Sequence, residues 1–294
     1  MHSRGSDQEH VDERGDPSVY ADAVRAYLAA TDRLVDYVSE FEWDEATGHL
    51  EIVFRAVLRR QHEALTAILS LCQNARGDAA VPLLRPACEE LILVTYLTTI
   101  QREQAQRLVV ALAIVEIHDD LRAQQKFAGE DVMRELGFSA RFVTEAKLKD
   151  AAAKEELAVL GRELGWKVRG RGVVPSVRFF AERTQILDVY DFLYHATSRF
   201  VHFKVKELFR RAWGHPPRLS VSSAHFAEHW TMFALYWGLW LHLHTTIVVL
   251  KVLEVPNDVL DENSLLNALG QLGGKVPLVT ARELVWEGLR PPWE

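Results

Sequence analysis

From Met232 to Leu250 the chain reads MFALYWGLWLHLHTTIVVL, 19 residues without a formal charge. A stretch of that length and composition has two stable fates: it spans a bilayer, or it is a helix enclosed on all sides by other helices. His242 and His244 fall in its second half, where an imidazole is expensive in lipid. Inside a bundle, the same imidazoles and Thr245 and Thr246 can find polar partners. The sequence therefore predicts a central buried helix, no stable membrane insertion, and a chain that must supply enough amphipathic helices to wrap it.

The rest of the sequence supplies them. With 294 residues, 48% of them hydrophobic and 26% charged, the chain can build a substantial core in one globular body. Asp16-Pro17 is a capping carboxylate followed by a first-turn proline, and it opens a helix to about Phe41. Apolar residues at spacings of three and four from Leu50 to Cys72 give a second helix, ended near Gly77. A third runs from Asp78 to about Gln101, with a kink expected at Leu83 to Ala87 because Pro86 removes a backbone bond. Helices follow at about Arg102 to Phe127 and at Ser139 to Leu164, the latter charged and solvent-facing. Pro175 restarts a helix predicted to continue to Trp213, where Gly214-His215-Pro216-Pro217 breaks it. Ser220, Ser222 and Ser223 then offer caps for the long apolar helix, and a short helix is expected at Val259 to Leu272.

No strand pattern and no repeat of fixed period is visible. The expected fold is all-α, a single bundle of about seven to nine helices. Residues 1–17 read as a solvated, disordered lead-in, 18–254 as the bundle, and 255–294 as a helical tail packing on it.

Charge and cysteine usage narrow the function classes. A net charge of −7 and a pI near 6 argue against a protein that coats nucleic acid electrostatically. The compact basic loop Lys167 to Gly172, KVRGRG, reads as a connector between helices. Cys72 and Cys88, both in apolar helical context, give neither a disulfide framework nor a thiolate metal site, which fits a reducing cytoplasm. His225-Phe-Ala-Glu228-His229 has the letters of a zinc-protease motif, but reads better as a helix start whose polar residues face water. His118-Asp119, with His62 and Asp188 or Asp191, resembles the ligand set of helical metal-dependent phosphohydrolases only at loose spacings. Glu-x-x-His and phosphate-loop signatures do not occur. No metal and no cofactor is expected.

The stretch Asp188 to Lys206, DVYDFLYHATSRFVHFKVK, carries the most chemistry. On a helix, Asp188, Asp191, His195, Arg199 and His202 fall on one stripe, and Tyr190, Tyr194, Ser198 and His202 form a slanted row beside it. Two polar rows meet at His202. A helix needing only a core face would not place a phenol, a hydroxyl, a guanidinium and two imidazoles together.

Tyr194-x-x-x-Ser198-x-x-x-His202, combined with Arg85-x-x-x-Glu89 after the Gly77-Asp78 turn, resembles a family of uncharacterised bacterial all-helical proteins. The similarity covers roughly residues 50 to 250. Such proteins look distantly like the helical HEPN ribonuclease superfamily, members of which act in toxin and phage-defence systems. The resemblance implies a cleft in which Arg85 and Arg199 hold an anion, His202 acts as acid or base, and Glu89 and Tyr194 orient them. Ser198 and His195 complete the candidate set, RNA or a nucleotide is the implied partner, and a homo-oligomer is expected. The sequence departs from the nuclease pattern at one point. HEPN nucleases place a histidine four to six residues after an arginine, whereas Arg199 and His202 are three apart. Two outcomes are open: an open ligand site, or a buried network that fixes helix register.

Overall fold

A computed structural model describes residues 16–43, 48–168, 172–202, 205–215, 218–222, 226–256, 259–260, 262–271 and 276–278. The lead-in up to residue 15, the centre of the basic loop at 169–171 and the tryptophan-bearing end at 279–294 lie outside them. The fold is all-α. Eight helices of ten residues or more form it: α1 (Pro17–Ser39), α2 (Gly48–Gln73), α4 (Leu84–Leu97), α5 (Arg102–Ala128), α7 (Ala140–Leu164), α9 (Leu187–Val201), α11 (Ala227–Leu250) and α12 (Glu262–Gln271). The short helices α3 (Gly77–Ala80), α6 (Glu130–Glu135), α8 (Val177–Arg183) and α10 (Val205–Arg210) complete the described set.

Helix α11 is the axis. It is long and apolar enough to cross a membrane, yet 72% of its most apolar stretch is buried inside the protein, against α1, α2, α3 and α4. Phe233, Leu235, Leu239, Leu241 and Leu243 are wholly enclosed. Two close approaches set its position. A Cβ at Gly238 would stand 3.1 Å from Ile68 and Leu65 of α2, and one at Gly77 would stand 2.4 Å from the Thr231 backbone nitrogen. Around this axis α1 buries Tyr20, Val24, Tyr27, Leu34 and Val38, and α2 buries Phe54, Leu58, Leu65 and Ile68. Their three-and-four spacing is the wrapping pattern that the central helix demands. Helix α12 lies against α1, burying Leu265 and Ala268. Helices α5 and α7 form a long hairpin that joins the bundle where α5 lies on α2.

Local signals account for many ends. Asp16 accepts from the Ser18 backbone N–H at 2.8 Å, Ser139 caps α7 through Phe142, and Ser176 caps α8 through Phe179. Gly165 closes α7 in the left-handed conformation at φ 86°.

Four expectations are corrected. The interruption before α4 is a 3₁₀ turn at Val81–Leu83, and Pro86 sits within the first turn of α4, where a missing N–H is tolerated. The predicted helix from Pro175 to Trp213 is three helices. Gln185, at φ 61°, turns the chain between α8 and α9, and α9 stops at Val201. Around the predicted Gly214 to Pro217 break stands an unexpected hairpin, β1 (Ala212–His215) paired antiparallel with β2 (Arg218–Val221). Ser220 belongs to β2, so it does not cap α11, whose N-cap position is Phe226.

Candidate functional site

Helix α4 begins on the 3₁₀ turn, and α9 packs along both. This brings the first turns of α4 beside the end of α9. Arg85 and Glu89 are one turn apart on α4, and the Arg85 Nε donates to Glu89 Oε1 at 3.0 Å. The same guanidinium lies over the Tyr194 ring, with Cζ 4.5 Å from its centroid. Its NH1 approaches His202 Nε2 at 3.3 Å. An arginine only donates, so Nε2 must accept, and His202 then carries its proton on Nδ1 as a neutral imidazole. These contacts engage two of the five guanidinium N–H groups.

His202 reaches this position because α9 has already ended. It is the C-cap, with extended backbone at φ −109° and ψ 144°, and its N–H still bonds to the Ser198 carbonyl at 3.0 Å. The run Phe200-Val201-His202-Phe203 holds aromatic and β-branched residues of modest helix propensity, so tertiary contact decides where the helix stops. The expectation of one helix to Lys206 is corrected accordingly, and residues 203–204 lie outside the described set.

The cluster is at the surface. The Arg85 and Glu89 side chains are 24% and 32% exposed, and His202 is exposed. Tyr190 packs against Tyr194, ring centroids 5.6 Å apart. Burial, the Glu89 carboxylate and Tyr194 push the Tyr190 phenol above its ordinary range, against the pull of Arg85. Burial also works against the charge on Arg85, but its bond to Glu89 and the Glu89 charge outweigh that and hold the guanidinium protonated more firmly.

Other expected members lie elsewhere. Ser198 is buried, and His195 is exposed, with its ring edge to Tyr194. Arg199 is engaged with other residues, its Nε donating to the Ala196 carbonyl at 3.0 Å and its Cζ 4.7 Å above the Trp230 ring. The helical stripe that was to join Arg199 to His202 does not extend that far. Asp191 pairs with Arg178 at 2.6 Å, and Asp188 is exposed.

The metal patterns dissolve in the same way. His118 faces Asp150 at 3.3 Å, while Asp119 pairs with Arg122. His62 stands 3.6 Å from Asp32. His229 is buried beside Trp230 and Phe233 and does not face water; His225 lies outside the described residues. Among the described residues no three His, Cys, Asp or Glu side chains gather as a metal set.

A second polar cluster, which sequence reasoning signalled only through the two histidines of the apolar run, lies in the core. His242 Nδ1 is 3.1 Å from the Tyr27 hydroxyl, which is 2.9 Å from Thr246 Oγ1; Thr246 donates to the His242 carbonyl at 3.0 Å. The assignment that serves all three bonds has His242 Nδ1–H donating to Tyr27 and Tyr27 donating to Thr246. His242 Nε2 and Thr245 Oγ1 have no hydrogen-bond partner, and the His62 ring is 5.7 Å away. Burial drives the His242 imidazole down to about 3 and the Tyr27 phenol well up. His244, by contrast, bonds to the Trp240 carbonyl at 2.8 Å.

An all-α bundle with a surface guanidinium–imidazole cluster between two helices is the class that fold and site define. The chain belongs to a family of unknown function, DUF5677, whose profile matches residues 51–216. The match runs from α2 through β1, the first strand of the hairpin, and so contains both the Arg85–Glu89 and the Tyr194–His202 segments. No curated protein and no solved structure matches.

Proposed function

We propose that this protein is a HEPN-like helical effector of a bacterial toxin or phage-defence system, working in a reducing cytoplasm. Its Arg85–Glu89–Tyr194–His202 cluster binds the phosphate of RNA and cleaves it without a metal. The observation that carries the reading is the 3.3 Å approach of the Arg85 guanidinium to the acceptor nitrogen of an exposed histidine. A cluster meant only to fix helix register belongs in the core, where breaking it is costly; this one opens to solvent. A phosphate entering between the two side chains takes the outer N–H groups of Arg85. His202 Nε2 is then free to accept the proton of the ribose 2′-hydroxyl as O2′ attacks phosphorus. Arg85 stabilises the charge that builds on the pentavalent phosphate. The P–O5′ bond breaks, the 5′-oxygen takes a proton from water, and a 2′,3′-cyclic phosphate remains. Glu89 fixes the plane of Arg85, and Tyr194 supports it from below. Arg199 has no part in this step.

Incubation of the purified protein with end-labelled RNA in EDTA tests the reading. Wild type yields cyclic-phosphate ends. His202→Ala loses about 10²-fold or more in rate, and Arg85→Lys, which keeps the charge but not the fork, falls by a comparable factor. Both melt within about 0.5 kcal/mol of wild type, as surface changes do. Absence of cleavage and of salt-sensitive RNA binding in wild type, or unfolding of both variants, would overturn it. A second reading, a non-catalytic helical interaction module, is favoured by the exposed apolar surface of the α5–α7 hairpin. It predicts self-association with no turnover of RNA or nucleotide.

A further inference from the structure

Cleavage of a ribose phosphodiester asks for two proton transfers, one from the 2′-hydroxyl and one to the departing 5′-oxygen. His202 takes the first. An alkoxide leaves poorly, so a side chain that donates the second proton speeds the step beyond what water provides. The groups already in contact with one another are unsuited to it. Arg85 does not give up a proton, and the Glu89 carboxylate accepts from Arg85. Burial raises the Tyr190 phenol above its ordinary range, so it holds its proton too firmly. Tyr194 lies under the Arg85 guanidinium and supports it.

His195 stands beside this cluster. It is exposed, and its ring centroid is 5.7 Å from that of Tyr194, with the two planes at 88°. Arg85 Cζ is 4.5 Å from the same Tyr194 centroid, so the imidazole and the guanidinium flank one ring. Among the described residues no group bonds to the ring nitrogens of His195, which leaves them to a ligand. His195 and His202 are seven positions apart. On a helix that is two turns, so the two residues lie within about 20° of one stripe and about 10.5 Å apart along the axis. The register holds to the end of α9, because the His202 N–H still bonds to the Ser198 carbonyl at 3.0 Å. In-line displacement puts base and acid on opposite sides of phosphorus. Two imidazoles converging from that spacing leave room for a phosphate and a hydrogen bond of about 2.8 Å at each end.

We infer that His195 is the general acid of the site, a role that rests on the RNA-cleavage reading above. Imidazole is the side chain that exchanges protons near neutrality, so one histidine can enter the step neutral and the other protonated. As O2′ attacks phosphorus and His202 Nε2 takes its proton, the protonated His195 delivers a proton to O5′. The electron pair of the breaking P–O5′ bond stays on that oxygen, which departs as a hydroxyl. His202 is left protonated and His195 neutral, and proton exchange with water restores both. Arg85 holds the phosphate between them.

A change of leaving group tests this in the full chain. Two short RNAs of one sequence are compared, one natural and one with sulfur in place of the 5′-oxygen at a single linkage; a thiolate departs without a proton, so that linkage has no use for an acid. On natural RNA His195→Ala is slower than wild type by about 10²-fold. On the sulfur linkage it is rescued to within about threefold of wild type, whereas His202→Ala, which lacks the base, stays slow on both. Cleavage of natural RNA by His195→Ala at the wild-type rate overturns the inference and leaves the RNA-cleavage reading standing. An equal loss on both linkages also overturns it, since His195 would then act in binding or folding. A wild type inert on both RNAs removes the RNA-cleavage reading and the acid with it.

Discussion

Lowering the pH should destabilise this protein, most of all through His242. Its ring is enclosed in α11, donates through Nδ1 to Tyr27, and has no partner at Nε2. Burial holds the folded imidazole down at about 3, whereas in the unfolded chain it titrates near 6.5. The sign follows from which state binds the proton. Between those values the unfolded chain is protonated and the folded one is not, so stability is complete above about pH 6.5, falls as pH drops, and stops falling below about pH 3. Integrated from pH 7 to pH 5, the loss is about 2 kcal/mol. Almost all of that figure comes from the unfolded titration, because the folded ring stays neutral throughout the interval. His62, also depressed chiefly by burial and faced by Asp32, Asp36, Arg59 and Glu63, adds in the same direction. Subtraction isolates His242. Urea unfolding of wild type and of His242→Asn, whose amide keeps a donor near the Nδ1 position, is measured at both pH values. Wild type should lose about 2 kcal/mol more than the variant over the interval. An equal loss in the two proteins would refute the account of a neutral, buried, half-satisfied imidazole.

Gly77→Ala, which drives a methyl into the Thr231 backbone where α3 meets α11, should cost about 2–3 kcal/mol in thermal or urea unfolding with little change in slope. Tyr27→Phe removes one of the two hydroxyls within reach of His242 Nδ1, leaving Thr246 Oγ1 at 3.1 Å, and removes the donor to Thr246, and should cost about 1–2 kcal/mol by the same assay. Cys72 and Cys88 are buried, and burial pushes each thiol up to about 12. Neither should react with a thiol reagent at neutral pH until the chain is unfolded, when both should titrate.

Much of the architecture is written locally. The uncharged run from Met232 requires a wrapped helix because no polar face exists for water to meet, and the three-and-four spacing of α1 and α2 provides the wrapping. Asp16-Pro17, Ser139, Ser176 and Gly165 mark ends through bonds made within a few residues, so their meaning does not depend on the rest of the fold. The polar rows of the Tyr194 helix were legible as residues that no core needs, and their pairing with the Arg85 helix was implied by the family resemblance. The end of α9 was not, since Phe200 to Phe203 carries no cap and no breaker. Only packing on α4 decides that His202 leaves the helix for Arg85 while Arg199 turns to Trp230. The partner of His118 was equally out of reach of sequence: it is Asp150, 32 positions away across the hairpin, and not the adjacent Asp119. Capping and periodicity are short-range physics that one stretch of chain settles alone; helix ends without a cap, and ion pairs between helices, depend on which neighbour arrives, and the tertiary structure supplies that neighbour.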